Sequence, residues 1–139
     1  MRRILLVLGV AILLACGDGA KAPETRSITV SCSKTWTKTS VKVRPGQSII
    51  VTAKGQLHSG DLAFGPEGTT AHPEWAAYSL VPDWPHLALI GKLGEDGEPF
   101  LIGTAYSGTA VRGGVLYLGI NDLDAENNQG AFQATVEIR

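Results

Sequence analysis

Ala131-Phe132-Gln133-Ala134-Thr135-Val136-Glu137-Ile138-Arg139 alternates without a break. Phe132, Ala134, Val136 and Ile138 fall on one side at period two, and Gln133, Thr135, Glu137 and Arg139 on the other. That is the pattern of a strand with one face in a core and one in water. Upstream, Val115 to Ile120 repeats it with Leu116, Leu118 and Ile120. Leu87 to Leu93 is nearly all apolar and reads as a central strand, and Pro99 to Gly103 pairs back onto it across the turn Gly94-Glu95-Asp96-Gly97-Glu98. Earlier still, Ser27 to Cys32, Thr35 to Val43 and Ser48 to Lys54 are rich in β-branched residues, with the turn Arg44-Pro45-Gly46-Gln47 between the last two and Gly55 marking an end or a bulge. Thr104 to Gly114, rich in Gly, Ser and Thr, reads as a looser connection. No segment carries a helical period, so the fold class is all-β, a two-sheet β-sandwich of jelly-roll type.

The N-terminus is of another kind. Met1-Arg2-Arg3 precedes an apolar run from Ile4 to Leu14 that is short for a membrane span, and Leu13-Leu14-Ala15-Cys16 resembles the lipobox of bacterial lipoproteins. The expected organisation is a signal peptide over 1–15, a lipidated Cys16 with a tether over 16–26, and one domain over 27–139. Gly17, rather than Asp, after Cys16 points by the same resemblance to the outer membrane. Several acyl chains make a stable anchor, each buried methylene contributing about 0.8 kcal/mol. Cys32 is then the remaining cysteine, which excludes a disulfide within one mature molecule; on the inward face of its strand it reads as a small buried hydrophobe. A net charge of -1 with 18% charged residues gives no basic field for nucleic acid.

Two stretches stand out from the strands. From His58 to Pro85 the chain is broken repeatedly by Gly and Pro yet holds His58, His72, Trp75, Tyr78 and Trp84. A long connection rich in aromatics is ordered and belongs to a site more often than a polar one does. From Gly119 to Phe132, two Asp, one Glu and three Asn leave the end of a strand together. Calcium takes six to eight oxygen ligands from such residues and from backbone carbonyls. The same residues also make plain solvated turns, and both readings stay open on composition alone.

Gly65-Pro66-Glu67-Gly68 with His72-Pro73, then Ala88-Leu89-Ile90-Gly91-Lys92-Leu93-Gly94, then Asn121-Asp122 and Asn127-Asn128-Gln129-Gly130-Ala131-Phe132 occur in the order found in one family. Over roughly Trp36 to Ile138 the chain resembles the bacterial calcium-dependent galactophilic lectins of the PA-I (LecA-like) type. The resemblance implies a small jelly-roll sandwich with one Ca2+ at a sheet end, coordinating two vicinal hydroxyls of galactose. It implies that Asp122, Asn127 and Asn128 give side-chain oxygens to the ion and that His58 gives its backbone carbonyl. It further implies that His72 bonds the hydroxymethyl arm of the sugar, with Asp122 and Asn127 reaching the ring hydroxyls.

The chain departs from the family at three points. The spacing from Asp122 to Asn127 is two residues shorter, so the intervening backbone-carbonyl ligand is assigned to Asp124 or Ala125. Trp75 stands where the lectins carry a polar sugar contact, as a stacking platform or as a plug. Two extra residues lie between His72 and Ala88.

The expected function is a membrane-anchored, calcium-dependent, galactose-type carbohydrate-binding domain with a galactose-containing glycan as partner; a second copy of the chain is a further candidate partner. The alternative is an envelope lipoprotein of the same fold that binds protein or has a structural role. An enzyme is not expected. Asp122 and Asp124 sit two apart on one loop rather than across a cleft, and neither a nucleophile turn nor a His-Glu-x-x-His motif occurs.

Overall fold

The computed structural model describes residues 22–139. The signal sequence, Cys16 and most of the tether lie outside the described residues. Nine strands are present among them: β1 Glu24–Ser31, β2 Trp36–Val43, β3 Ser48–Ser59, β4 Leu62–Phe64, β5 Leu89–Leu93, β6 Phe100–Leu101, β7 Ala105–Thr109, β8 Gly114–Ile120 and β9 Gln129–Ile138. Short 3-10 turns cover Pro73–Tyr78 and Ala125–Asn127. No described helix is long and apolar enough to cross a membrane.

Two antiparallel sheets pack face to face as a β-sandwich. In the first, β9 lies between β1 and β3, and the far edge of β3 carries β7 along its first half and β4 along its last residues. The second runs β2-β8-β5-β6. The alternation of β9 becomes burial: Phe132, Ala134, Val136 and Ile138 are 0%, 2%, 0% and 4% exposed. They meet Leu89, Leu116, Leu118 and Ile120 of the other sheet in one core. Truncating a buried phenylalanine such as Phe132 to alanine costs about 3–5 kcal/mol.

Three features depart from the sequence reading. β1 begins at Glu24, so residues 24–26 belong to the sheet rather than to the tether; Glu24 pairs with Ile138 in the ladder and its carboxylate meets Arg26 at 2.9 Å. The looser connection after Gly103 contains β7, a strand whose apolar content is too low to register as alternation but whose backbone pairs with β3 from Ser48 to Thr52. And β3 does not stop at Gly55: it passes through that residue at φ 113° and runs on to Ser59. A Cβ at Gly55 would stand 2.6 Å from the Ala131 carbonyl oxygen, so only glycine lets β3 and β9 stay paired there.

Cys32 is fully buried and free, as expected of a small hydrophobe. Burial pushes its thiol up to about 11, against the opposing hydrogen bond from the Phe132 backbone. Thr39 bridges the irregularity in the β2–β8 ladder, its hydroxyl donating to the Leu116 carbonyl at 2.7 Å and accepting from Val41 N at 3.1 Å. Trp36 lies over Gly119 on the outer face of the second sheet, where Lys92 Nζ sits 4.4 Å from its ring centre.

Candidate functional site

At one end of the sandwich β3 finishes, β8 finishes and β9 begins. Between β8 and β9 the chain makes a tight excursion through Asn121 to Asn128, closed by the 3-10 turn whose Ala125 is buried beneath it. This excursion, the end of β3 and the 73–87 segment enclose a cleft of about 270 Å³ lined by Ser59, Trp75, Tyr78, His86 and Leu87, together with Asp122, Asp124, Asn127 and Asn128.

The four oxygen-bearing residues expected from the loop therefore share one cleft. Asp122 and Asn128 are the buried pair, 4% and 3% exposed, while Asp124 and Asn127 are exposed at the rim. Asp122 Oδ1 accepts from Asp124 N at 2.9 Å and its Oδ2 accepts from Asn128 Nδ2 at 2.8 Å. Each carboxylate oxygen keeps lone-pair capacity beyond that single bond, and the bond turns the donor end of Asn128 away and leaves its amide oxygen available. No Lys or Arg lines the cleft. Two carboxylates with amide oxygens and no balancing side-chain cation make a natural complement for a hard divalent cation. Among the described residues no three His, Cys, Asp or Glu side chains come together as a metal cluster. The polar side chains lining the cleft are the carboxylates of Asp122 and Asp124, the amides of Asn127 and Asn128, the Ser59 hydroxyl and the His86 imidazole.

Asn121, fully buried, holds the opposite wall. Its Oδ1 accepts from Val81 N at 2.8 Å, and its Nδ2 donates to the carbonyls of Val81, Trp84 and Pro85 at 3.0, 3.4 and 3.0 Å. One side chain so fastens the end of the long 65–88 connection to the end of β8. The Gly65-Pro66-Glu67-Gly68 turn secures its other part: Thr69 and His86 exchange backbone bonds of 2.8 and 3.0 Å, and Gly68, at φ 66°, lies so close that a Cβ would come within 2.5 Å of Ala88 N. Leu87 follows in the left-handed region at φ 67°, the one non-glycine residue there among the described residues, and is held by Leu87 N donating to Asn121 O at 3.1 Å. A buried leucine in that conformation stores about 1–3 kcal/mol of strain, and such strain concentrates at binding sites.

The remaining site residues separate. Trp75 lines the cleft, with His72 stacked on one face at 3.8 Å and 15°. The rings of Phe64 and His86 stand steeply inclined to the indole, at 6.1 and 5.7 Å between ring centres. His72 itself lines a neighbouring cleft with Thr69, Pro73, Trp84 and His86, and its Nδ1 lies 3.3 Å from Glu74. The structure places it beyond Trp75, outside the lining that holds Asp122. The His58 side chain is exposed on the outer side of β3, which leaves the expectation for its backbone carbonyl untouched, and its neighbour Ser59, on the inward parity of Ile49, Val51 and Leu57, lines the cleft.

His86 escaped the sequence reading. It lines the cleft, is bonded through Nδ1 to Ser79 Oγ at 2.9 Å, and burial holds its imidazole below the usual histidine range while the Asp122 carboxylate pulls it upward. The available signal was its place directly before the buried Leu87–Leu93 run, at the mouth of a strand.

The fold matches a solved lectin domain. The structure described as "EclA N-terminal domain; PllA-like lectin" superposes with a TM-score of 0.62, at 23% identity, over 81% of this chain and 95% of that one. No family model matches the sequence, and no curated protein does. At that identity the likeness establishes the sandwich; the residues at its end have to be argued from their own geometry.

Proposed function

We propose that the domain is a calcium-dependent carbohydrate-binding module that takes a galactose-type sugar at the Asp122 cleft and is held on a bacterial outer membrane through lipidated Cys16. One observation carries the reading: Asp122, Asp124, Asn127 and Asn128 converge on a single cleft at a sheet end, walled by the aromatic side chains of Trp75 and Tyr78. The solved lectin domain with the same sandwich supports it. Asp122 and Asn128 would hold the ion from the buried side, with Asn127 and Asp124 at the rim. When bound, calcium supplies a partly hydrated cation whose waters a vicinal diol can replace. That matters because a neutral hydroxyl gains only about 1 kcal/mol net from an ordinary hydrogen bond in competition with water. With few carboxylates in the set, the affinity for calcium is that of an extracellular module, on the order of 10⁻⁴ to 10⁻³ M.

The protein's residues supply orientation. Tyr78, well exposed beside the cleft, and Trp75 offer apolar surface to the carbon face of a sugar. His86 offers a ring nitrogen near Asp122, and Ser59 a polar edge opposite. The test is calorimetric titration of the domain with a galactoside, with and without excess chelator. Heat released with calcium and abolished by chelator is the expected result; silence in both conditions refutes the reading. Calcium-dependent melting with no response to any sugar would instead favour an envelope protein of the same fold whose partner is a protein, a reading motivated by Trp75 standing in the cleft.

A further inference from the structure

His86 is fixed at more points than a cleft-lining side chain needs for packing alone. Its backbone exchanges two bonds with Thr69, His86 N donating to Thr69 O at 3.0 Å and Thr69 N to His86 O at 2.8 Å. Its ring is held too. Nδ1 lies 2.9 Å from Ser79 Oγ, and Ser79, only 2% exposed, is itself 3.4 Å from the Trp75 carbonyl oxygen. The Trp75 indole stands against the imidazole at 5.7 Å and 66°. An imidazole anchored in this way has little rotamer freedom left to lose when a ligand arrives.

The other ring nitrogen is free. His86 lines both the Asp122 cleft and the neighbouring one, whereas Ser79 lines neither, so the ring edge turned to open space is the one opposite Nδ1, which carries Nε2. Nε2 has no partner among the described residues, and it is not sealed off: the one buried side-chain polar atom without a partner among them is Thr37 Oγ1. Neither other histidine is placed to do the same. His72 is stacked on Trp75 with Nδ1 3.3 Å from Glu74, outside the Asp122 lining, and the His58 side chain lies on the outer side of β3. We infer that His86 is a specificity-determining residue, its Nε2 bonding one hydroxyl of the bound sugar beyond those that meet the ion, and that Ser79 is its positioning residue. This inference rests on the lectin reading and deepens it, since the ligand then needs a third hydroxyl beside the diol. A sugar hydroxyl both donates and accepts, so it suits either tautomer of the ring. Because water can reach Nε2 when that hydroxyl is missing, its loss costs about fivefold in affinity rather than the orders of magnitude of a sealed site.

A cycle between protein and ligand tests it, with the full-length chain in a non-glycosidic detergent and millimolar calcium. Methyl galactoside and its analogues, each lacking one hydroxyl, are titrated into the unaltered protein and into His86→Phe, which keeps a ring and removes both nitrogens. At one hydroxyl the unaltered protein should lose about fivefold and His86→Phe under about twofold, with calcium affinity the same in both. Ser79→Ala, which keeps both nitrogens and releases Nδ1, should shrink that difference without abolishing binding. Equal losses in the two proteins at every position overturn the inference and leave the lectin reading intact; so does a calcium affinity that falls in His86→Phe, which would put the ring on the ion. Should His86→Phe not fold, nitrogen-15 spectra of the histidine-labelled unaltered protein decide: galactoside should move the His86 Nε2 resonance and leave Nδ1 in its bond to Ser79, and an Nε2 resonance that saturating galactoside does not move overturns the inference. No binding of methyl galactoside by the unaltered protein sinks the lectin reading, and this inference with it.

Discussion

Asn128 donates through Nδ2 to Asp122 Oδ2 at 2.8 Å, and both residues are almost closed off from solvent. This bond fixes which end of the amide faces the cleft, so it couples a structural contact to the oxygen donor set. Asp122→Asn removes the charge and sets two amide donors against each other until Asn128 turns over. Because that rotation can restore a hydrogen bond, the metal-free domain should lose only about 1–2 kcal/mol. The thermal shift given by millimolar calcium should disappear. A calcium-induced shift equal to that of the unaltered protein would remove Asp122 from the ligand set.

Asn121, adjacent in sequence, has a different role. Its amide satisfies backbone groups of Val81, Trp84 and Pro85 that the long connection brings to a half-buried place. Asn121→Ala orphans Val81 N and the Trp84 carbonyl, while the carbonyls of Val81 and Pro85 keep Trp84 N and Ala88 N as donors, and each unsatisfied buried polar group costs about 1–3 kcal/mol, reduced where water can enter. A loss of about 3 kcal/mol in urea unfolding is expected, with hydrogen exchange accelerated first over residues 81–86. Exchange that rises uniformly, or a loss below about 1 kcal/mol, would show that the connection is held by other contacts.

The strands were largely legible in the sequence because burial on one face enforces period two, and Phe132 to Ile138 shows it undiluted. β7 was not, since a strand whose partner backbone supplies its stability can be built from Ala, Ser, Gly and Thr. The oxygen-rich loop was legible as composition, and its four residues do meet. What composition could not give was the parity of the facing elements. That the Ser59 side chain turns inward depends on β3 continuing in phase through Gly55, and His86 reaches the cleft only because Thr69 and Asn121 pull the 81–88 backbone against β8.

Trp75 decides between a platform and a plug. His72 already covers one indole face, so a ligand could use only the other face or the edge. A single aromatic contact of that kind contributes about 0.5–1.5 kcal/mol. Trp75→Ala should therefore weaken galactoside binding by about three- to tenfold by titration, with calcium affinity unchanged. An affinity that rises instead identifies the indole as an obstruction. His72→Ala, which uncovers the second face, should change affinity far less than Trp75→Ala does.

His86 should make the metal-free domain sensitive to mild acid. Burial holds its imidazole below the usual histidine range, and the Asp122 carboxylate only partly offsets this. The unfolded chain, with an ordinary histidine, takes up the proton first as pH falls. Stability from this group is thus fully present above about pH 6.5 and is lost progressively as pH drops from there through the folded value. Glu74, also held low but fully exposed, titrates in a more acidic window and does not mimic the effect. Urea midpoints measured across the range from neutral to mildly acidic, in chelator, should fall for the unaltered protein. They should be flatter for His86→Gln, which keeps a hydrogen-bonding side chain next to Ser79 without a titrating ring. Parallel midpoint curves for the two proteins would mean that the imidazole is neutral in neither state's favour and that the acid sensitivity comes from the carboxylates.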